Sequence, residues 1–208
     1  MLLPNFDIEK KLIGNKQKLI AGTDEVGRGA LAGPVTAAAV ILNPEDIPTG
    51  IKDSKKLTKN IRNALSKEII SRSLSYSITH ISVVEIDAIN ILEASMLAMS
   101  KAVNSLNKKP DHVIVDGNKT PKSLNFPATA IIKGDNLSLT IAAASILAKV
   151  ARDRIMVDLA NYFPKYSWET NVGYGTKSHI KGISKYGITP HHRVSFKPIH
   201  NILYPKNK

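Results

Sequence analysis

One stretch constrains this chain more than any other. The apolar run Leu19-Ile20-Ala21-Gly22-Thr23 ends on two adjacent carboxylates, Asp24-Glu25, and Val26-Gly27-Arg28-Gly29-Ala30-Leu31-Ala32-Gly33-Pro34-Val35 follows directly. An apolar run that stops at paired acids reads as a strand carrying charged groups to the edge of a sheet. The glycines beyond it allow another backbone or a ligand to come very close. Arg28, between two of them, is a cation on a loop with almost no bulk around it.

The rest of the chain supplies partners for that strand. Val35 to Leu42 is nearly all small and apolar, as expected of a strand buried on both faces beneath helices. Residues 5 to 17 carry a weak helical pattern and Lys59 to Ser71 a clearer one, while Leu74 to Ile81 alternates like a half-exposed third strand. Ser82-Val83-Val84-Glu85 is a capping-box pattern before an apolar period that predicts one long helix ending near Leu106. His112 to Gly117 and Ala128 to Ile132 read as strands four and five, and Leu137 to Tyr162 as a second long helix. Its Ala142-Ala143-Ala144-Ser145 run implies close packing on the sheet. A last helix from Thr176 to Lys185 is expected to stop at Gly187, with an irregular basic tail after it. The expected fold is α/β: one domain over residues 1–208, with a mixed five-stranded sheet flanked by helices (core 18–162) and a basic helical C-terminal extension (163–208).

Charge narrows the partner. Lys and Arg number 29 against 17 Asp and Glu, a net charge of +12 and a pI near 9.8, which points to a polyanion. From Asn161 onward eight basic residues accompany a single acid, Glu169. No apolar run approaches the roughly 20 residues that span a bilayer. The first residues lack a basic stretch followed by an apolar one, so the expectation is a cytoplasmic protein without membrane attachment. With no cysteine, disulfides, thiolate metal sites and a cysteine nucleophile are excluded.

Three strands end in acid: Asp24-Glu25, Asp116-Gly117, and Asp135 after Lys133-Gly134. Singly, each reads equally well as a turn or a helix cap. Together, in a basic protein, they point to a site at converging strand tips. Clustered carboxylates raise one another's pKa unless compensated, and oxygen-only ligation favours Mg²⁺ or Mn²⁺. Two such ions roughly 4 Å apart stabilise both the attacking water and the leaving oxygen of an in-line phosphodiester cleavage. Because side chains alternate along a strand, Asp24 and Glu25 are expected to share a site only if the strand breaks near Gly27 and Gly29.

These motifs, with Asp53-Ser54-Lys55-Lys56-Leu57, Val115-Asp116-Gly117-Asn118, Ala142 to Asp153, Gly173-Tyr174-Gly175-Thr176 and His192 to Pro198, closely resemble the ribonuclease HII family, in its order, over about residues 18–199. The resemblance implies a ribonuclease H-like fold and endonucleolytic hydrolysis of the RNA strand of RNA–DNA hybrids. It further implies cleavage 5′ of single ribonucleotides embedded in duplex DNA, leaving 5′-phosphate and 3′-hydroxyl ends. By position, Asp24, Glu25, Asp116 and Asp135 match the metal-site acids. Gly27, Arg28 and Gly29 match the loop that senses the 2′-hydroxyl, and Tyr174 the tyrosine that stacks on the next sugar. Ala30 and Gly175 stand where proline is common, with slight stiffness effects expected. A monomer is expected, with a replication-clamp contact through the C-terminus as a further expectation.

Among the remaining residues, Ser54, Lys55, Lys56, Lys149 and Arg193 are candidates for phosphate contact. Asp153 reads as an ion-pair residue, His191 and His192 as a solvated basic loop, and Trp168 as packing. Two rival readings stay open: another ribonuclease H-like nuclease such as a resolvase, and a non-catalytic basic module whose acids are structural.

Overall fold

A computed structural model describes residues 3–14 and 18–204. At its centre Val35–Ile41 (β2) is buried at every position. It pairs antiparallel with Ile20–Val26 (β1) on one side and with Ser75–Ile81 (β3) on the other. His112–Asp116 (β4) runs parallel to β1, and Ala128–Ile131 (β5) parallel to β4, so the order is β3-β2-β1-β4-β5. This is the expected mixed five-stranded sheet. Around it lie Asp7–Ile13 (α1), Lys59–Arg72 (α2), Val83–Ile89 (α3), Ile91–Asn104 (α4), Leu139–Tyr162 (α5), Trp168–Asn171 (α6), Lys177–Tyr186 (α7) and Lys197–Leu203 (α8).

The small residues decide how the layers meet. Strand alternation sends Ala38 and Val40 of β2 to one face, against Ala142, Ala143 and Ala144 of α5. Val35, Ala37 and Ala39 face the other side, against Ala94, Ala98 and Ala102 of α4, which are stacked one turn apart. On β1 the approach is closest at Gly22, where a Cβ would lie 2.6 Å from the Thr140 carbonyl carbon. Only a glycine lets α5 rest directly on the strand that carries Asp24.

Two expectations fail here for local reasons. The long helix from Ser82 to Leu106 is two helices, broken at Asn90, whose φ of 66° interrupts the α ladder. The Asn90 side chain accepts from the Leu92 and Glu93 amides at 2.9 and 3.2 Å, so it starts α4 rather than continuing α3. The tail is not irregular either, because Pro198 opens α8 and Ile199 buries its side chain. The capping box at Ser82 and Glu85 and the stop of α7 at Gly187 are as read. Part of the N-terminal helical pattern, residues 15–17, and Lys206 and Lys208 lie outside the described residues.

Helix α1 straps the entrance to α5. Glu9 is fully buried and its Oε1 accepts from Ser138 Oγ at 2.5 Å and from the Thr140 amide at 3.0 Å. A carboxylate there also suits the positive end of the helix. Asn5 adds backbone bonds to Leu137 and Leu139 at 3.2 and 3.0 Å. Removing one buried partner of such a set costs about 1–3 kcal/mol, so Glu9→Ala is expected to lower Tm by about 3–8 °C in thermal denaturation. An unchanged Tm would show that water replaces the carboxylate at no cost.

Candidate active site

The parallel ladder between β1 and β4 ends at Thr23 opposite Val115. Asp24 and Glu25 therefore overhang the end of β4, where Asp116 sits. β1 stays paired with β2 through Val26 opposite Thr36 and ends before Gly27 (φ 93°), so the break near the glycines is present but lies beyond the two acids, not between them. What unites the two acids is the missing β4 neighbour, which opens both faces of the strand onto one notch. Asp24, Glu25 and Asp116 line a cleft of about 520 Å³ together with Gly27, Arg28, Gly29, Ser54, Lys55, Ser145, Lys149 and Tyr174. Asp135 is not part of that wall. It is buried beside Asp116 on the turn Gly134–Asn136, where Asn136 Nδ2 donates to its Oδ1 at 2.7 Å.

The acids are poorly compensated. Burial, then the charges of Glu25 and Asp116, push the Asp24 carboxyl well above the usual range, and Ser145 and the Glu25 amide (2.7 Å) offset part of this. Burial also raises Glu25, against the opposing pull of Arg28, whose Nη1 donates to Oε1 at 3.1 Å. Burial and then Asp135 raise Asp116, opposed by the Gly134 amide at 2.6 Å. Lys55 Nζ stands 4.0 Å from Asp135 Oδ2, too exposed to neutralise the cluster. Surplus negative charge on oxygen donors is what a hard divalent cation fits. Among the described residues no three acid or imidazole groups close into a cage by themselves. The acids thus form an open site, the kind in which Mg²⁺ keeps water and phosphate oxygens in its shell.

The basic candidates divide. Lys55 and Lys149 line the cleft, the latter paired with Asp153 at 2.8 Å. Asp153 also lies 3.8 Å from Arg62, as an ion-pair residue should. Ser54 is buried, with its hydroxyl 3.0 Å from that of Ser145. Lys56 is outside the lining, bonded to Asn136 and 3.8 Å from Asp53. Arg193 belongs to the interior: it is fully buried and donates to the Gly33 carbonyl at 2.8 and 3.0 Å and to the Arg28 carbonyl at 3.0 Å. It braces the loop and has no face to offer a phosphate. His192 is likewise no solvated residue, being buried against Thr189 and His179. Trp168 is buried packing, as read.

Sequence reasoning overlooked Ser145 and Arg152. Both lie on the buried side of α5, Ser145 at the cleft and Arg152 beneath the glycine loop, and neither burial is visible in a segment that also carries the charged residues Lys149, Asp153 and Arg154. Arg152 packs under the loop so tightly that a Cβ at Gly27 (φ 93°) would fall 2.1 Å from its Nε.

Acids at the tips of β1 and β4 of such a sheet, with a cationic glycine loop at the rim, define a ribonuclease H-like nuclease. Comparison narrows the class, since residues 21–199 match the family described as Ribonuclease HII. The chain belongs to the ribonuclease HII family and is an endoribonuclease that acts on RNA–DNA hybrids. A Ribonuclease HII of Ruegeria sp. (strain TM1040) is 57% identical over 97% of this chain and 87% of its own. The crystal structure of ribonuclease H2 from Pyrococcus horikoshii OT3 superposes with a TM-score of 0.74 at 29% identity, covering 88% of this chain and 96% of that one. RNase HII from Archaeoglobus fulgidus, solved as a complex with PCNA, gives 0.73 at 26% identity, covering 86% and 95%.

Proposed function

We propose that this chain cuts 5′ of ribonucleotides, both in RNA–DNA hybrids and at single ribonucleotides within duplex DNA, leaving 5′-phosphate and 3′-hydroxyl ends. The observation that carries this reading is the set of three acids with raised pKa in one cleft that also contains Gly27-Arg28-Gly29 and Tyr174. Asp24, Glu25, Asp116 and Asp135 would hold Mg²⁺ or Mn²⁺. When bound, such ions lower the pKa of water and stabilise the leaving oxygen. The chain's own groups choose where this happens. Gly29 leaves its backbone open: a Cβ there would meet only Tyr174 Cε1, at 3.9 Å. A ribose between loop and ring meets backbone amides that bind its 2′-hydroxyl, the group that separates RNA from DNA. Arg28 holds Glu25, and Lys55 and Lys149 face the backbone phosphates. Ser54 and Lys56 support that rim through Ser145 and Asn136. A replication-clamp contact, by analogy with the Archaeoglobus fulgidus complex, would use the C-terminal residues beyond 204.

The test is a DNA duplex with one ribonucleotide beside an all-DNA duplex, each with Mg²⁺, with Mn²⁺ and with EDTA. Metal-dependent cleavage 5′ of the ribonucleotide alone is expected. Cleavage of both duplexes, or of neither, overturns the reading.

A further inference from the structure

The turn that presents Tyr174 is strained. Val172, a β-branched residue, has φ 43° and ψ 38°, and Gly173 follows at φ 86°. Such a conformation persists only where its surroundings hold it. The Tyr174 amide donates to the Asn171 carbonyl at 2.9 Å, and the Tyr174 carbonyl accepts from the Thr176 amide at 2.8 Å. A second contact to that carbonyl comes from His179 Nδ1, at 3.0 Å.

Behind His179 lies a buried chain whose proton positions are forced. The Trp168 indole can only donate, and its Nε1 lies 3.0 Å from His179 Nε2. His179 Nε2 is therefore an acceptor, and the ring proton sits on Nδ1, aimed at the Tyr174 carbonyl. The Thr189 amide donates to His192 Nδ1 at 2.9 Å, so the His192 proton is on Nε2, 3.1 Å from His179 Nε2. Both rings are neutral and both are buried. Burial, and then His179, hold His192 down at about 4, so the arrangement persists at neutral pH. His179 Nε2 has one lone pair, which the Trp168 and His192 N–H groups share, and from there the donors lead through His179 Nδ1 to the Tyr174 carbonyl.

We propose that His179, oriented by His192, is the positioning residue that sets Tyr174 against Gly29, and so helps the enzyme recognise an isolated ribonucleotide. This rests on the role given to Tyr174 above. The bond to the Tyr174 carbonyl needs only a donor at the Nδ1 position, while the bonds to Trp168 and His192 need an acceptor at Nε2. The two amide side chains separate these needs. Asn places its NH₂ near Nδ1, and Gln places a carbonyl oxygen near Nε2.

The experiment measures kcat/KM on a duplex with one ribonucleotide, divided by that on a long RNA–DNA hybrid, for wild type, Tyr174→Ala, His179→Asn and His179→Gln. Tyr174→Ala and His179→Gln are expected to lower the ratio about tenfold, the scale of a displaced substrate-positioning group, and His179→Asn to keep it within about twofold. If Tyr174→Ala lowers the ratio and His179→Gln does not, or if Asn and Gln behave alike, the positioning role is overturned. If Tyr174→Ala leaves the ratio unchanged, both readings fall. Tautomers need no variant: nitrogen NMR of the wild type at neutral pH is expected to show His179 protonated at Nδ1 and His192 at Nε2. The opposite pattern for His179 would also overturn the proposal.

Discussion

Asp24→Asn is expected to lower cleavage by about a thousandfold, roughly 4 kcal/mol of barrier, while making the metal-free protein more stable. The substitution keeps shape and leaves an oxygen for the Glu25 amide, now 2.7 Å from Oδ1. It removes one charge from a cluster in which burial, Glu25 and Asp116 all disfavour the ionised form. Relieving an uncompensated buried group contributes about 1–2 kcal/mol, or about 2–6 °C in Tm for a chain of this size. A carboxyl held above its ordinary pKa binds its proton more tightly in the native state than in the unfolded chain. Its stabilising contribution is present below the unfolded pKa and is lost as pH rises through the native one. The advantage of Asp24→Asn should thus vanish in acid and grow as pH passes the ordinary carboxylate range. Saturating Mg²⁺ should shrink it, because the cation supplies the missing charge to the wild type alone. Thermal melts across pH, with EDTA and with Mg²⁺, check this beside initial cleavage rates. A lower Tm in EDTA at neutral pH, or more than a tenth of the activity retained, would contradict it.

The same strand shows how far the sequence was legible. β1, β2 and the acids at the strand tips could be read because apolar runs and charges are local signals, and the ordered motifs tied distant acids together. What escaped depends on neighbours. Alternation along β1 argued that Asp24 and Glu25 part company. They share a notch because β4 stops pairing with β1 at Val115, a fact about register that no single segment contains. Asn90 looked like one polar residue in a helical period, and only its capping bonds reveal a helix start. Arg193 sits in a basic segment and so resembled a phosphate ligand, although its guanidinium is spent on carbonyls of the loop far earlier in the chain. Buried polar residues are misread in this way because sequence shows their charge but not their partners.

Arg152 carries the largest expected structural effect for the same reason. It is fully buried, and its guanidinium donates to the carbonyls of Pro34 at 2.8 Å, Ala32 at 3.0 Å and Val172 at 2.8 Å. Burial pushes this group down from the usual guanidinium range, so the protein bears a desolvation cost to keep it there. Those bonds join the segment before β2 to the strained turn at Val172, and the guanidinium carbon stands 5.6 Å from the centre of the Tyr174 ring. Arg152→Ala strands three buried carbonyls and is expected to cost about 3–5 kcal/mol, or about 10 °C in Tm. Arg152→Lys keeps the charge but not the planar fork, and should lose about half as much. Melts of both variants, read beside cleavage of a single-ribonucleotide duplex, distinguish charge from geometry. A lysine variant that melts like wild type would mean that charge alone holds the loop. If the fork is what matters, Arg152→Lys should remain folded yet cleave the isolated ribonucleotide about tenfold less well, because Gly27 packs on Nε itself and the loop that meets the ribose inherits its position from a residue that never touches substrate.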